Sequence, residues 1–326
     1  MVGVSLEHAR EARRSGPLRT GSLVSAYRIE RTLGTGGMGW VYRARHVLDD
    51  RTVALKVLRD DQIQQDRALD RMMREAQILA TVGHAGIPAF FECGLLDDGR
   101  PWIAMELVEG TPLSVRMNEG PLVHDEVIDL VANVADVLAS AHERGITHRD
   151  LKPDNVLVTP TDPRFPLRVI DWGIAHHRAG ARYTHHDESI GTPTYMAPEQ
   201  ARGGPTDGYS DIYGLGVVAY QALVGRPPFV GGTSVDILVQ HLNRPVPPLA
   251  PRCPDAPLGF VELVERMLIK RFEERPSAAD VRAAIERLRD DCRPAYEPGV
   301  ETGPVPREEL ENERTAPTLH LRPHVD

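Results

Sequence analysis

The sequence predicts an α+β protein of two lobes: a small five-stranded β lobe with one main helix, then a larger, mostly helical lobe. Three observations carry this. Residues 27–107 alternate short strand-like runs with Gly and Asp turns and hold a single helix-period stretch. Residues 111–290 place apolar side chains at helical spacing again and again. At 326 residues with 41% hydrophobic content, the chain is long enough for a large two-lobed core.

The elements follow in order. Residues 1–26 are polar and arginine-bearing, and are expected to be a mobile leader. Strands are predicted over Tyr27–Leu33, Gly39–His46 and Thr52–Leu58, the last two joined at Asp49-Asp50. Leu69, Met72, Met73, Ala76, Leu79 and Ala80 line one helical face. Strands near Ala89–Leu95 and Trp102–Leu107 flank the Asp97-Asp98-Gly99 turn and complete the small lobe, 27–107. In the large lobe, 111–290, an apolar stripe from Val127 to Ala141 ends before Gly145. A helix over Asp211–Leu223 stops at Gly-Arg-Pro-Pro. Phe260, Leu263, Val264, Met267 and Leu268 mark another, and Ser277 caps a last one reaching Asp290. Prolines and glutamates dominate 291–326, where periodicity is lost and a disordered tail is expected.

Composition narrows the function. Aromatics make up only 5%, so the core must be aliphatic. A net charge of −9 disfavours nucleic acid as a partner, because a polyanion is repelled. The 3 cysteines, Cys93, Cys253 and Cys292, are odd in number and widely spaced, as suits a reducing cytoplasm. No stretch approaches the ~20 apolar residues of a membrane span, and the N-terminal arginines, with no apolar run behind them, are not expected to open a signal peptide.

The chemistry concentrates in two places. Leu33-Gly34-Thr35-Gly36-Gly37-Met38-Gly39-Trp40-Val41 fits G-x-G-x-x-G-x-V between two predicted strands, where glycine backbone can approach phosphates and present N–H donors. Lys56 follows on a strand among Ala54, Leu55 and Val57, where its charge needs a partner, and Glu75 on the helix is the chosen carboxylate. Downstream, Thr147-His148-Arg149-Asp150-Leu151-Lys152-Pro153-Asp154-Asn155 sets an acid, a lysine two residues on and an amide five residues on. That set suits phosphoryl transfer: a carboxylate for a hydroxyl proton, a cation for migrating charge, and an oxygen for Mg²⁺.

These motifs, in this order, resemble the protein kinase superfamily, and Lys152-Pro153 its serine/threonine branch. The resemblance covers about residues 27–290. Tyr195-Met196-Ala197-Pro198-Glu199-Gln200 and Asp211-Ile212-Tyr213 are most similar to bacterial eukaryotic-like (Hanks-type) kinases. It implies a bilobal protein kinase fold and ATP- and Mg²⁺-dependent phosphorylation of protein Ser/Thr, autophosphorylation included, with Mn²⁺ as an alternative metal. It implies Asp150 and Lys152 as the catalytic pair, and Asn155 and Asp171 as oxygen ligands for the metal. Met105 would be the gatekeeper, Glu106 and Val108 the hinge whose backbone meets adenine, and Val41, Ala54 and Leu157 the apolar sandwich around the ring. Glu199 would pair with Arg275, and Asp211 would brace the catalytic loop. Trp172 stands where the family has Phe; a larger indole needs room and a partner for its N–H.

Residues 171–199 resemble an activation segment. Arg149 would be its phosphate receptor, with Thr184, Ser189, Thr192 and Thr194 as phosphosite candidates. Asp187 and Glu188 could mimic phosphate weakly, so activity without loop phosphorylation is an open expectation. Relatives can dimerise through the small lobe, and a small-lobe homodimer is a candidate partner state. Many relatives carry a membrane span after the kinase domain; this chain, with its short polar tail, is expected to be a soluble cytoplasmic member.

Overall fold

The computed structural model describes residues 16–35, 39–59, 68–172 and 193–291. The small lobe is one antiparallel sheet with strands β1 (Leu23–Val24), β2 (Tyr27–Thr35), β3 (Gly39–His46), β4 (Thr52–Leu58), β5 (Phe90–Leu95) and β6 (Pro101–Glu106). Their spatial order is β1-β2-β3-β4-β6-β5. Helix α1 (Ala68–Val82) interrupts the strand sequence between β4 and β5. Alternation decides which face is buried: Tyr42, Ala44, Val53, Leu55 and Val57 meet Trp40 and Trp102 in one core. Leu58, Met72, Ala76 and Ile103 form a second small core beneath α1.

Two expectations are corrected here. The sheet has six strands, not five, and residues 16–26 are not all leader. Leu23 and Val24 pair with Arg28 and Tyr27. Val24 is buried, and the Tyr42 hydroxyl accepts the Leu18 N–H at 2.8 Å. A strand of two residues is too short to show a period of two, so the sequence carries no signal for it.

The large lobe contains β7 (Thr111–Pro112), α2 (Leu113–Asn118), α3 (His124–His142), β8 (Val156–Val158), β9 (Leu167–Val169) and α4 (Pro198–Ala201). The helices α5 (Gly208–Val224), α6 (Ser234–Asn243), α7 (Leu258–Met267) and α8 (Ala278–Asp291) follow. Helices α3 and α5 are the lobe's centre. Val127, Val131, Val134, Val137 and Leu138 from one meet Ile212, Leu215, Val217 and Ala219 from the other in an aliphatic core. Each side chain so buried contributes about 1.5–3 kcal/mol, which explains how the lobe holds together with few aromatics. Turn chemistry ends the helices as predicted: Gly145, after α3, has φ +70°, and Gly225 caps α5 at φ +79°. Ser277 and Asp280 exchange hydrogen bonds of 3.0 and 3.2 Å at the start of α8. Helices α2 and α6 were not expected. The first is six residues long, and the second leaves Val235 and Val239 exposed, so neither writes a clean apolar face.

The compact unit holding both lobes ends at Leu288; of the second unit, which begins at Arg289, residues 289–291 are described, as the end of α8. Among the described residues no helix is long and apolar enough to cross a membrane.

Candidate active site

The catalytic loop is built by the start of α5 and the end of α3. Asp207 caps α5 by accepting the Tyr209 N–H, which sets Asp211 in the first buried turn. The Asp211 carboxylate then accepts the backbone N–H groups of His148 at 2.8 Å and Arg149 at 2.7 Å. It also accepts from His142 Nε2 at 2.8 Å, which places that ring's proton on Nε2. One buried carboxylate thus fixes two successive loop peptides, and Arg149 is held in the left-handed region at φ +69°. The bracing implied for Asp211 is present in the geometry. His142 and Gln200 were not foreseen. Gln200 Nε2 donates to the Arg149 carbonyl at 2.8 Å, and its Oε1 accepts the Ala197 N–H at 2.9 Å.

Within the loop, Lys152 Nζ donates to Asp150 Oδ2 at 2.7 Å. Asn155 Nδ2 donates to the Asp150 carbonyl at 2.8 Å, which turns its amide oxygen away from the loop backbone. The Ile170 N–H donates to the Asn155 carbonyl at 2.9 Å, so the strand leading to Asp171 is stitched to the catalytic loop.

Across the cleft, Lys56 on β4 is nearly buried. Its ammonium lies 3.0 and 2.9 Å from the two oxygens of Glu75 and 2.9 Å from Asp171 Oδ1. Helix α1 therefore carries Glu75 into the cleft, as the pairing from sequence required. Burial alone would push the Lys56 pKa down; the Glu75 and Asp171 carboxylates outweigh it and raise it, so the ammonium persists. Burial pushes Glu75 up, while Asp171 is held below its ordinary value because Lys56 outweighs its desolvation. Two carboxylates face one ammonium. The hard oxygens of Asp171 and Asn155 are of the kind that hold a hard divalent cation, and the second carboxylate at Lys56 leaves negative charge to offset.

Trp172 is fully buried, and its indole finds the partner it needs: Nε1–H donates to the Val169 carbonyl at 2.8 Å. Its ring meets His148 edge-on at 4.9 Å, and His148 Nε2 donates to the Ile170 carbonyl at 3.0 Å. Leu79 lies in the same core, with Phe90 packed against it. Trp172→Phe should strip the Val169 carbonyl of this donor and lower stability by about 1–3 kcal/mol. A thermal melt beside a rate assay checks this: kcat should stay within roughly threefold, since Asp171 keeps its bond to Lys56.

The remaining site residues divide. Ala54 pairs across strands with Met105, and Val41 with Lys56, which sets Val41, Ala54 and Met105 around one end of the cleft. Leu157 on β8 is half-buried opposite, and Val108 lies half-buried after β6. Glu106 ends β6, with its side chain turned onto large-lobe arginines. Leu33, Gly34 and Thr35 belong to β2, and Gly34 and Thr35 pair with Val41 and Trp40. Gly39 has a structural reason to be glycine: a Cβ there would sit 2.1 Å from the Val57 carbonyl oxygen. Gly34 shows none: among the described residues a Cβ there would meet nothing within 4 Å. Thr194 lies half-buried in the turn Pro193–Tyr195. Gly36, Gly37, Met38, Thr184, Ser189 and Thr192 lie outside the described residues. Glu199 and Arg275 form the expected buried ion pair, at 2.7 and 2.9 Å.

The chain is similar to known proteins. The family description "Protein kinase domain" matches residues 27–284. The chain is 38% identical over 283 residues to the serine/threonine-protein kinase pkn3 of Myxococcus xanthus, covering 82% of this chain and 52% of that one. It is 36% identical over 286 residues to PknA of Mycobacterium tuberculosis, covering 85% and 65%. The chain spans about half the length of the curated relatives it matches. The solved kinase domain of Mycobacterium tuberculosis PknI superposes with a TM-score of 0.65 at 29% identity, over 83% of this chain and 99% of that one. With a matching family description over most of its length and bacterial serine/threonine kinases as relatives, the chain belongs to the protein kinase family, in its bacterial Hanks-type branch.

Proposed function

We propose that this chain is a non-specific serine/threonine protein kinase that transfers the ATP γ-phosphoryl to Ser or Thr of proteins, itself included. One observation supports this most: the Lys56–Glu75–Asp171 cluster and the Asp150–Lys152–Asn155 cluster are tied together through the Ile170–Asn155 backbone bond. A scaffold without turnover has no need of an intact strand lysine, loop acid and metal-binding carboxylate at once.

In this reading Asp150 orients the acceptor hydroxyl and takes its proton, while Lys152 offsets charge on the transferred group. Lys56, held by Glu75, meets the nucleotide phosphates in exchange for its contact with Asp171. Phosphates would come close to β2 at Gly34, where among the described residues nothing lies within 4 Å of a Cβ. Asn155 and Asp171 would hold Mg²⁺, or Mn²⁺, and the ion would neutralise phosphate charge. The adenine ring would lie between Val41, Ala54 and Leu157, with Glu106 and Val108 offering backbone groups. Arg149 would receive a phosphate from Thr184, Ser189, Thr192 or Thr194. In the same reading 27–290 is the kinase domain, the odd cysteine count favours the cytoplasm, and a small-lobe homodimer is a candidate assembly. Among the described residues Cys93 and Cys253 are free thiols.

The test is transfer from labelled ATP with Mg²⁺ to a protein acceptor and, separately, to a panel of small alcohols. Phosphoserine or phosphothreonine should appear on protein, and Lys56→Met should lower incorporation by at least about 10²-fold. Equal incorporation by that variant, or label on small alcohols alone, would sink the proposal.

A further inference from the structure

We propose that Glu106, Arg164, Arg168 and Asp162 form a charge latch behind the hinge, and that Arg164 is a positioning residue for nucleotide binding. The inference rests on the nucleotide site proposed above. Glu106 is the last residue of β6, and both lobes meet at its carboxylate. From the small lobe, the Ala89 N–H donates to Oε2 at 3.1 Å, and the Glu106 N–H donates to the Ala89 carbonyl at 2.8 Å. From the large lobe, Arg164 Nη2 donates to Oε1, and Arg168 Nη2 lies 3.9 Å from the same oxygen. Asp162 closes the ring, accepting from Arg168 Nη2 at 2.6 Å and from Arg164 Nη2 at 2.8 Å.

The four charges sum to zero, but their exposures differ. The Arg168 side chain is wholly buried, and among the described residues its Nε has no hydrogen-bond partner. A guanidinium in that state draws carboxylates strongly, because little water screens it. The Arg164 side chain is 56% exposed, so it can be replaced without opening the core. The strand that carries this carboxylate is the one whose backbone the adenine ring would meet. Tying the side chain to the large lobe fixes the rotation of that peptide before nucleotide arrives. Losing the tie lets the hinge sample wider angles, and binding must then restrict them.

The experiment uses the full chain with MgADP as the probe, followed by calorimetry, and steady-state kinetics with ATP. Arg164→Ala should raise the MgADP Kd and the ATP KM together, roughly 3–10-fold, the size expected of a charge-assisted bond partly open to solvent. Its kcat and its KM for the protein acceptor should stay within about twofold, and Arg164→Lys should recover most of the loss. Wild-type KM for ATP should also rise between about 0.05 and 0.5 M salt more steeply than that of Arg164→Ala, since screening acts on the latch. Unchanged MgADP affinity in Arg164→Ala, or a loss confined to kcat, overturns the latch. A wild-type chain that binds no MgADP removes the nucleotide site itself, and the latch with it.

Discussion

Asp150→Asn should lower kcat by about 10²–10⁴-fold, the range that a positioned proton acceptor contributes. The same variant should bind MgADP within roughly threefold of wild type, because the phosphate-side lysine is on the other lobe. The geometry makes this a clean exchange. Asn155 Nδ2 donates to the Asp150 backbone carbonyl, which the substitution leaves in place, so the loop keeps its shape. What changes is the carboxylate oxygen that Lys152 now contacts at 2.7 Å. An amide there neither accepts a proton from a hydroxyl nor holds the lysine as a charged partner. Steady-state rates with matched calorimetry decide the matter. A variant with wild-type kcat would remove Asp150 from the reaction; one that loses nucleotide affinity and rate alike would assign it to binding.

Arg275→Met should cost about 3–5 kcal/mol of stability, because it strands a buried carboxylate. Every N–H of the Arg275 guanidinium is occupied. Nη1 serves Glu199 at 2.7 Å and the Tyr209 carbonyl at 2.9 Å; Nη2 serves Glu199 at 2.9 Å and the Lys270 carbonyl at 3.0 Å; Nε serves the Ile269 carbonyl at 2.7 Å. After substitution Glu199 loses both guanidinium contacts and keeps the Ser210 hydroxyl, at 2.7 Å, and its own backbone N–H. For a domain of this size the loss corresponds to a fall in Tm of about 6–20 °C. The pH dependence has a definite sign. Burial opposes ionisation of Glu199, but Arg275 and Ser210 outweigh it, and its pKa lies below the ordinary value. In wild type that stabilisation is full above the unfolded-state value and is lost as pH falls through the folded one. In Arg275→Met burial is opposed by the Ser210 hydroxyl without the guanidinium, so the carboxyl titrates higher than in wild type, and protonation relieves the strain. The gap between the two proteins should therefore narrow as pH drops toward about 4–5. Denaturant melts at neutral and acidic pH measure it. A neutral-pH difference under roughly 1 kcal/mol would mean that the pair is solvated rather than buried.

These two residues also show how sequence and structure divide the explanation. Asp150, Lys152 and Asn155 are legible because they sit within six positions, and their chemistry needs that spacing. Lys56 is legible as a charge on an apolar strand that demands a partner. The long helix stripes are legible too, since an amphipathic period of 3.6 survives any tertiary context. Strand β1 and helices α2 and α6 were missed for the converse reason. They are short or lack a clean buried face, so contacts with other elements, not their own pattern, make them form. Gly39 had a reading that the structure revises: the neighbouring strand's carbonyl, at 2.1 Å from a hypothetical Cβ, requires glycine there whatever binds nearby.

By itself, then, the chain's order of residues determined the kinds of chemical group available and the local periods that make strands and helices. Only the folded molecule decided which groups meet. Glu75 and Asp171 stand 19 and 115 positions from Lys56 and still share its ammonium; His142 reaches Asp211 across 69, and Arg164 reaches Glu106 across 58. Such pairings leave no periodic trace, because they depend on how separate elements pack. They persist because a buried charge without a partner costs far more than bringing distant segments together.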